Sequence, residues 1–286
     1  MKGFHFYLFY FFSCTNVFCL NTGDSINTSL QIDRLTDLKL IDLDEAHRNA
    51  VSLFKTKELN ESDYFKIRVH NLLGGIQLCK SNFEVAKKHF NKSLLLAEEG
   101  NYFLIKGSTH EYYAYLLLEM NEVSLALRHL YKSLYYKNNY GTAKQKASVY
   151  NALGTAHFNL DALDSAAYYY NKVLIIGDEI QNSDLRVAAL SNLADVYYYS
   201  DLNNLAIETY RKAYHLQLKE GNLNGSSVQL FNIGEVYFSL EKLDSAIHYL
   251  NWAKISVLNS GHTEYLLDVY FNLAEAYTIY GMADSA

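Results

Sequence analysis

From about residue 40 onward, apolar and polar positions return in the same order every 40 residues. Small residues recur at Gly74, Ala114, Gly154, Ala194, Gly234 and Ala274. Alanine recurs at Ala46, Ala86, Ala126, Ala166, Ala206, Ala246 and Ala286. A fixed period of this size means stacked units, each covering its neighbour's apolar face. Around each small residue stands one helical pattern, as in YNALGTAHF (150–158) and LSNLADVYY (190–198), with apolar residues one before and three after it. That spacing marks a single helical face and predicts a first helix, A, in every unit.

A polar turn follows helix A. Ser124, Asp164, Asn204, Asp244 and Asp284 each stand two residues before the alanine, where a side-chain oxygen is expected to cap the first turn of a second helix, B. Helix B carries apolar residues four and seven past the alanine, as in Tyr210 and Ala213 after Ala206. Gly100, Gly141, Gly221 and Gly261 mark the expected ends of B. Small residues suit the crossings of A and B, where a larger side chain would hold the axes apart at a cost of about 1–3 kcal/mol.

The expected division follows from the period. Residues 1–22 form a signal peptide or membrane anchor and 23–60 atypical capping helices. Units then run over 61–100, 101–140, 141–180, 181–220 and 221–260, with an incomplete unit at 261–286. The closing ADSA reads as a turn, a cap at Asp284 and the register alanine Ala286 of a helix B left unfinished. Solenoids end in a polar cap, so a continuation beyond residue 286 is the expectation.

Composition sharpens this picture. The chain has no proline, so nothing forbids long helices. Its 26 tyrosines supply large packing surfaces that keep a hydroxyl wet. A net charge of −6 without Lys/Arg runs argues against nucleic acid as a partner of this segment. Two of the three cysteines, Cys14 and Cys19, lie near the N-terminus, which leaves no disulfide framework or cysteine zinc site. Lys2 followed by the apolar and aromatic run Phe4 to Leu20 has the layout of a secretory signal. Export or envelope anchoring is therefore expected, with a cytoplasmic location as the alternative, and membrane contact is expected only through this segment or a continuation past residue 286.

The repeating residues resemble the tetratricopeptide repeat (TPR) family. Its pattern is matched by Tyr150, Leu153, Gly154, Ala166, Tyr170 and Val173, and again by Leu190, Leu193, Ala194, Tyr197, Ala206, Tyr210 and Ala213. The usual unit is about 34 residues, so each repeat here is longer. The family's tryptophan is replaced by His70, His110, Tyr150, Leu190, Leu230 and Tyr270, and its closing proline is absent. A period of 40 also touches the HEAT and armadillo range, whose proline-kinked first helix this chain cannot supply. The resemblance implies an all-α, right-handed superhelical solenoid of helix pairs, with units like those of large bacterial regulators and sensors.

No HExxH, GxSxG, Walker or dinucleotide motif occurs, so no enzymatic activity, cofactor or metal is expected. Ten histidines include His70 with His110 and His89 with His129, equivalent positions on neighbouring repeats that read as copied polar sites. By family geometry the concave face would carry Phe158, Asp195, Tyr198, Tyr199, Phe231, Glu235, Phe238, Phe271 and Glu275. An aromatic strip edged by acids suits a protein or peptide partner of basic character. TPR domains that clamp acidic C-terminal tails use Lys, Asn and Arg where this chain has Asp195, Glu235, Ser191 and Phe231, so that ligand is excluded by sign. The expected function is a non-enzymatic peptide- or protein-binding scaffold. Rival expectations are the sensory half of a longer bacterial signalling protein, with a histidine kinase or helix-turn-helix output, and a cytoplasmic peptide-sensing regulator.

Overall fold

From Gly23 to Leu243, helix starts fall twenty residues apart, at half the period of the sequence. The computed structural model describes residues 23–38, 42–56, 61–260, 266–279 and 281. Among them are thirteen α-helices and no strand. They are α1 (Gly23–Leu38), α2 (Leu43–Leu53), α3 (Asp63–Cys79), α4 (Phe83–Glu99), α5 (Phe103–Glu119), α6 (Val123–Tyr140), α7 (Ala143–Asn159), α8 (Leu163–Glu179), α9 (Ser183–Tyr199), α10 (Asn203–Lys219), α11 (Leu223–Ser239), α12 (Leu243–Ser260) and α13 (Leu266–Ile279). Odd numbers from α3 are the A helices and even numbers from α2 the B helices. The expected leader at 1–22, Gly261, Asp284 and Ala286 lie outside the described residues.

One backbone device makes nearly every turn. Ser81, Asn101, Asn121, Asp161, Gln181, Asp201, Gly221 and Glu241 all have φ between 52° and 72°. At all of them but Asn101, where only the outer bond from Tyr102 N–H to the Ala97 carbonyl (3.2 Å) is made, the helix closes with a pair of bonds like Ser81 N–H to the Leu78 carbonyl (2.9 Å) and Asn82 N–H to the Gln77 carbonyl (2.8 Å). This is a Schellman closure, which satisfies the last orphan carbonyls, and the residue after it already opens the next helix. The departure is Gly141, which is extended (φ −100°, ψ 166°) after a B helix one residue longer than its predecessor. There Thr142 and Gln145 form a reciprocal capping box: Thr142 N–H donates to Gln145 Oε1 (2.8 Å) and Gln145 N–H to Thr142 Oγ1 (3.3 Å).

The expected side-chain caps of the B helices are corrected by these turns. Ser124, Asp164, Asn204 and Asp244 lie inside the first turn, and the true N-caps Glu122, Ala162 and Leu202 make no side-chain cap bond. The tight closure seats each cap through its own backbone, as in Leu202 N–H to the Tyr197 carbonyl at 2.8 Å. Asp164 and Asp244 instead face the positive end of the helix dipole. Side-chain caps open A helices: Asn182 accepts from Leu185 N–H (2.9 Å) and Asn222 from Gly225 N–H (2.8 Å).

The chain divides into two compact units, one to Ala156 and one from His157. In unit 1 consecutive helices from α1 to α6 pack on one another, and in unit 2 those from α8 to α13 do. Ala46, Ala86, Ala126, Ala166, Ala206 and Ala246 have no accessible surface, nor do Ala114 and Ala194. Close approach is visible at Gly74, where an added Cβ would stand 2.4 Å from the Phe90 ring. Ala274 is half-buried. In unit 1, α1 and α2 cover α3 through Ile32, Leu35, Ala50 and Leu53 against Phe65 and Val69. In unit 2, three clusters run from α8 to α13, centred on Tyr170, Tyr210 and Leu250.

Candidate functional site

All nine residues expected on the concave face belong to unit 2, on or beside A helices. Phe158 is 9% exposed and packs with Ala166, Tyr170 and Leu193, meeting Tyr199 edge-on at 5.3 Å. Phe231 is half-buried against Tyr214, Leu230 and Leu250. These two rings are packing residues. Position three before the small residue faces the next helix pair: in unit 1 its equivalents Asn71 and Glu111 are buried and bonded across to Thr109 and Ser148. Phe271 occupies the same position on α13 but is 67% exposed, with no described helix covering it.

The accessible part of the face is polar and aromatic. Tyr199 is 38% exposed and meets Tyr198 edge-on at 5.2 Å. Tyr198 and Phe238 are half-buried, while Glu235 and Glu275 are exposed. Asp195, half-buried on α9, accepts a hydrogen bond from the Tyr210 hydroxyl of α10. Glu235 on α11 accepts one from Asn272 Nδ2 of α13 at 3.3 Å. Tyr210 and Asn272 thus join a group that sequence reasoning had assembled without them. Their signal was present: each belongs to the helix that packs over the acid.

Electrostatics single out the two acids. Burial pushes the Asp195 carboxyl up to about 7; the Tyr210 hydrogen bond opposes this, and the Glu235 charge adds to it. Glu235 is exposed as a residue, yet the packing around its carboxyl raises it as well by desolvation, with Asn272 opposing and Asp268 adding. Tyr199 is raised by burial and by the neighbouring Tyr198, Asp195 and Glu235. Among the described residues no Lys, Arg or His forms an ion pair with Asp195, Glu235, Asp268 or Glu275. The Asp195 and Glu235 carboxyls would both regain their charged form beside an incoming positive group.

Unit 1 repeats one histidine contact at the equivalent positions of two successive helix pairs. In each pair it joins histidines 19 residues apart. His70 Nδ1 lies 3.0 Å from His89 Nδ1, and His110 Nδ1 lies 3.1 Å from His129 Nδ1. In each contact one neutral ring donates and the other accepts. Burial is the chief cause that holds His70 and His129 down at about 4 and His110 at about 3. Among the described residues no group of three or more His, Cys, Asp or Glu could hold a metal ion.

No protein-family model and no curated protein sequence matches the chain. Solved structures do. One is a signal-transduction ATPase with numerous domains from Pyrococcus horikoshii, carrying a tetratricopeptide repeat sensor (17% identity, TM-score 0.71, 90% of this chain). The chain spans 40% of that protein's length. A Rap protein complexed with competence and sporulation factor matches 93% of this chain over 78% of its own, at 11% identity and TM-score 0.70. The protein NprR in complex with its cognate peptide NprX matches 94% over 76%, at 14% identity and TM-score 0.64. At such identities the likeness is one of fold. The chain has the all-α, TPR-like fold of paired helices that its residues led us to expect.

Proposed function

We propose that this protein is a peptide-binding scaffold whose unit 2 face, formed by Asp195, Tyr199, Glu235 and Phe238, holds a segment carrying a basic side chain. The observation behind this reading is the pair of raised, uncompensated carboxyls beside accessible rings. A cation placed between them would relieve their repulsion, and the rings would pack along its aliphatic stem. Support for a peptide as the ligand class comes from NprR and its peptide NprX.

Fluorescence anisotropy tests it with labelled nine-residue peptides differing only in a central Lys, Gln or Glu. The Lys peptide is expected to bind tightest, and more tightly at pH 8 than at pH 6, because Asp195 loses its charge as pH falls through about 7. Asp195→Asn should narrow both preferences, leaving only the part that Glu235 carries. Equal affinity for the Lys and Glu peptides would overturn the proposal.

The Phe4 to Leu20 run further supports export or anchoring of this scaffold. Among the described residues no helix is long and apolar enough to cross a membrane. Fractionation of a tagged copy decides it: an uncleaved protein wholly in the cytoplasm removes the export reading. A second reading, the sensory part of a longer signalling protein, is favoured by the Pyrococcus horikoshii protein, where a TPR sensor belongs to a larger chain.

A further inference from the structure

Unit 1 contains a cleft of about 610 Å³ that the groove of unit 2 does not involve. Leu94 and Glu98 of α4, Lys106 and His110 of α5, and Tyr131, Lys132, Tyr135 and Tyr136 of α6 line it. Its volume lies within the range of small-molecule sites.

The walls are built and held. Tyr136 stacks on Phe103 (6.3 Å, 13°) and on His110 (6.1 Å, 9°), which fixes its ring. Tyr135 meets it at 77° and 5.4 Å, so two ring planes stand nearly perpendicular at the wall. His110 is 5% exposed and committed through Nδ1 to His129. Burial, followed by His129, Lys132 and Lys106, holds it neutral at ordinary pH. The lining therefore offers aromatic faces and a neutral imidazole.

Charge defines the rest of the ligand. Lys106 pairs with Glu98 and lies 5.4 Å over the Tyr136 ring, so its charge is compensated. Lys132 is exposed, and among the described residues it has no ion-pair partner. One uncompensated ammonium beside stacked rings matches a single negative charge on a planar ring. A phosphate dianion would need a second free cation or backbone donors.

We infer that this cleft binds a small aromatic acid, its ring against Tyr131 and Tyr135 and its carboxylate on Lys132. A peptide ending in an aromatic residue presents the same two groups, ring and carboxylate.

The test is titration of the whole chain by calorimetry and saturation-transfer NMR. The probes are 3-phenylpropanoate, its amide, and 3-cyclohexylpropanoate, with N-acetyl-Gly-Gly-Phe beside them. Binding is expected for the aromatic acid, and weaker binding for the amide and for the cyclohexyl acid. Lys132→Gln should weaken it about fivefold, as for one solvent-facing charge-assisted contact. Tyr131→Ala, at a ring 47% exposed, should weaken it further, with an unchanged thermal midpoint checked beside it. Asp195→Asn should leave it unchanged, which separates this site from the groove. Tighter binding of the tripeptide assigns the natural ligand to a chain terminus, and tighter binding of phenylpropanoate to a free acid. No binding, equal binding of acid and amide, or indifference to Lys132→Gln overturns the inference.

Discussion

The most demanding residues of unit 1 are Glu111 and Lys137, 3% and 0% exposed and joined to each other. Glu111 also accepts from Ser148 Oγ (2.5 Å) and Tyr115 Oη (3.4 Å). Equivalent positions in the preceding pair hold Asn71 and Ala97, and a neutral triad of Asn71, Ser93 and Thr109 fills that layer. A buried ion pair is costly to break from one side and cheap to replace as a whole. Lys137→Ala is therefore expected to destabilise unit 1 by about 3–5 kcal/mol. The double change Glu111→Leu with Lys137→Met should cost far less. Urea midpoints of the two variants check this, and similar losses would remove the ion-pair account. The sequence displayed Glu111 and Lys137 as one acid and one base among many. Only their burial opposite each other, 26 residues apart, made them a pair.

At the scale of elements, the turn decides more than the helix. A left-handed backbone costs an ordinary side chain about 1–2 kcal/mol relative to glycine. Among the described residues this chain accepts that cost at seven positions and uses glycine at Gly221 and Gly281. Glu241, exposed with φ 57°, is accordingly expected to gain stability as Glu241→Gly, by about 1 kcal/mol. Gly221→Ala should lose a similar amount, although nothing lies within 4 Å of the added Cβ, because the strain is in φ of 72°. Thermal midpoints that move the other way would count against the Schellman reading of these turns. This device was poorly legible beforehand, because Ser, Asn, Asp, Gln, Gly and Glu share no chemistry at this position. What they share is the place where a helix of fixed length must stop. The expected caps at Ser124, Asp164 and Asn204 missed for the same reason: capping was assigned to the nearest oxygen, while the backbone had already closed.

At the scale of the molecule, the two units are expected to answer acid in opposite directions. His70, His89, His110 and His129 all have pKa values lowered from 6.5, His70 and His129 to about 4 and His110 to about 3. Folded unit 1 thus favours the neutral rings, so this stability is complete above pH 6.5 and is lost as pH falls toward 4. Asp195 is raised from 3.8 to about 7, and Glu235 is raised too, so folded unit 2 favours the neutral acids. Its destabilisation grows as pH rises from about 4 to 7 and is relieved on acidification. The raised Glu119 in unit 1 and the lowered His157 in unit 2 each oppose their unit's trend, but both are single groups. Hydrogen exchange, corrected for its intrinsic pH dependence, should show α3–α6 losing protection between pH 7 and 5 while α9–α12 hold or gain it. A parallel response of both units would contradict this.

Period, helix count and the small-residue register were legible in the sequence because they are local. A helix repeats every 3.6 residues, and a buried contact point tolerates only glycine or alanine wherever the chain returns to it. The alternation of A and B helices followed directly from Ala46 through Ala246. Which polar residues meet was not local. His70 finds His89, Asp195 finds Tyr210 and Glu235 finds Asn272 because crossing helices bring those positions together. Phe158 and Phe231 belong to the packing for the same reason, although their spacing matches that of exposed neighbours. The sequence determined that this chain stacks helix pairs; only the tertiary structure decided which of its repeated positions are core, which are paired and which stay exposed, because those outcomes depend on what the crossing helices bring opposite each residue.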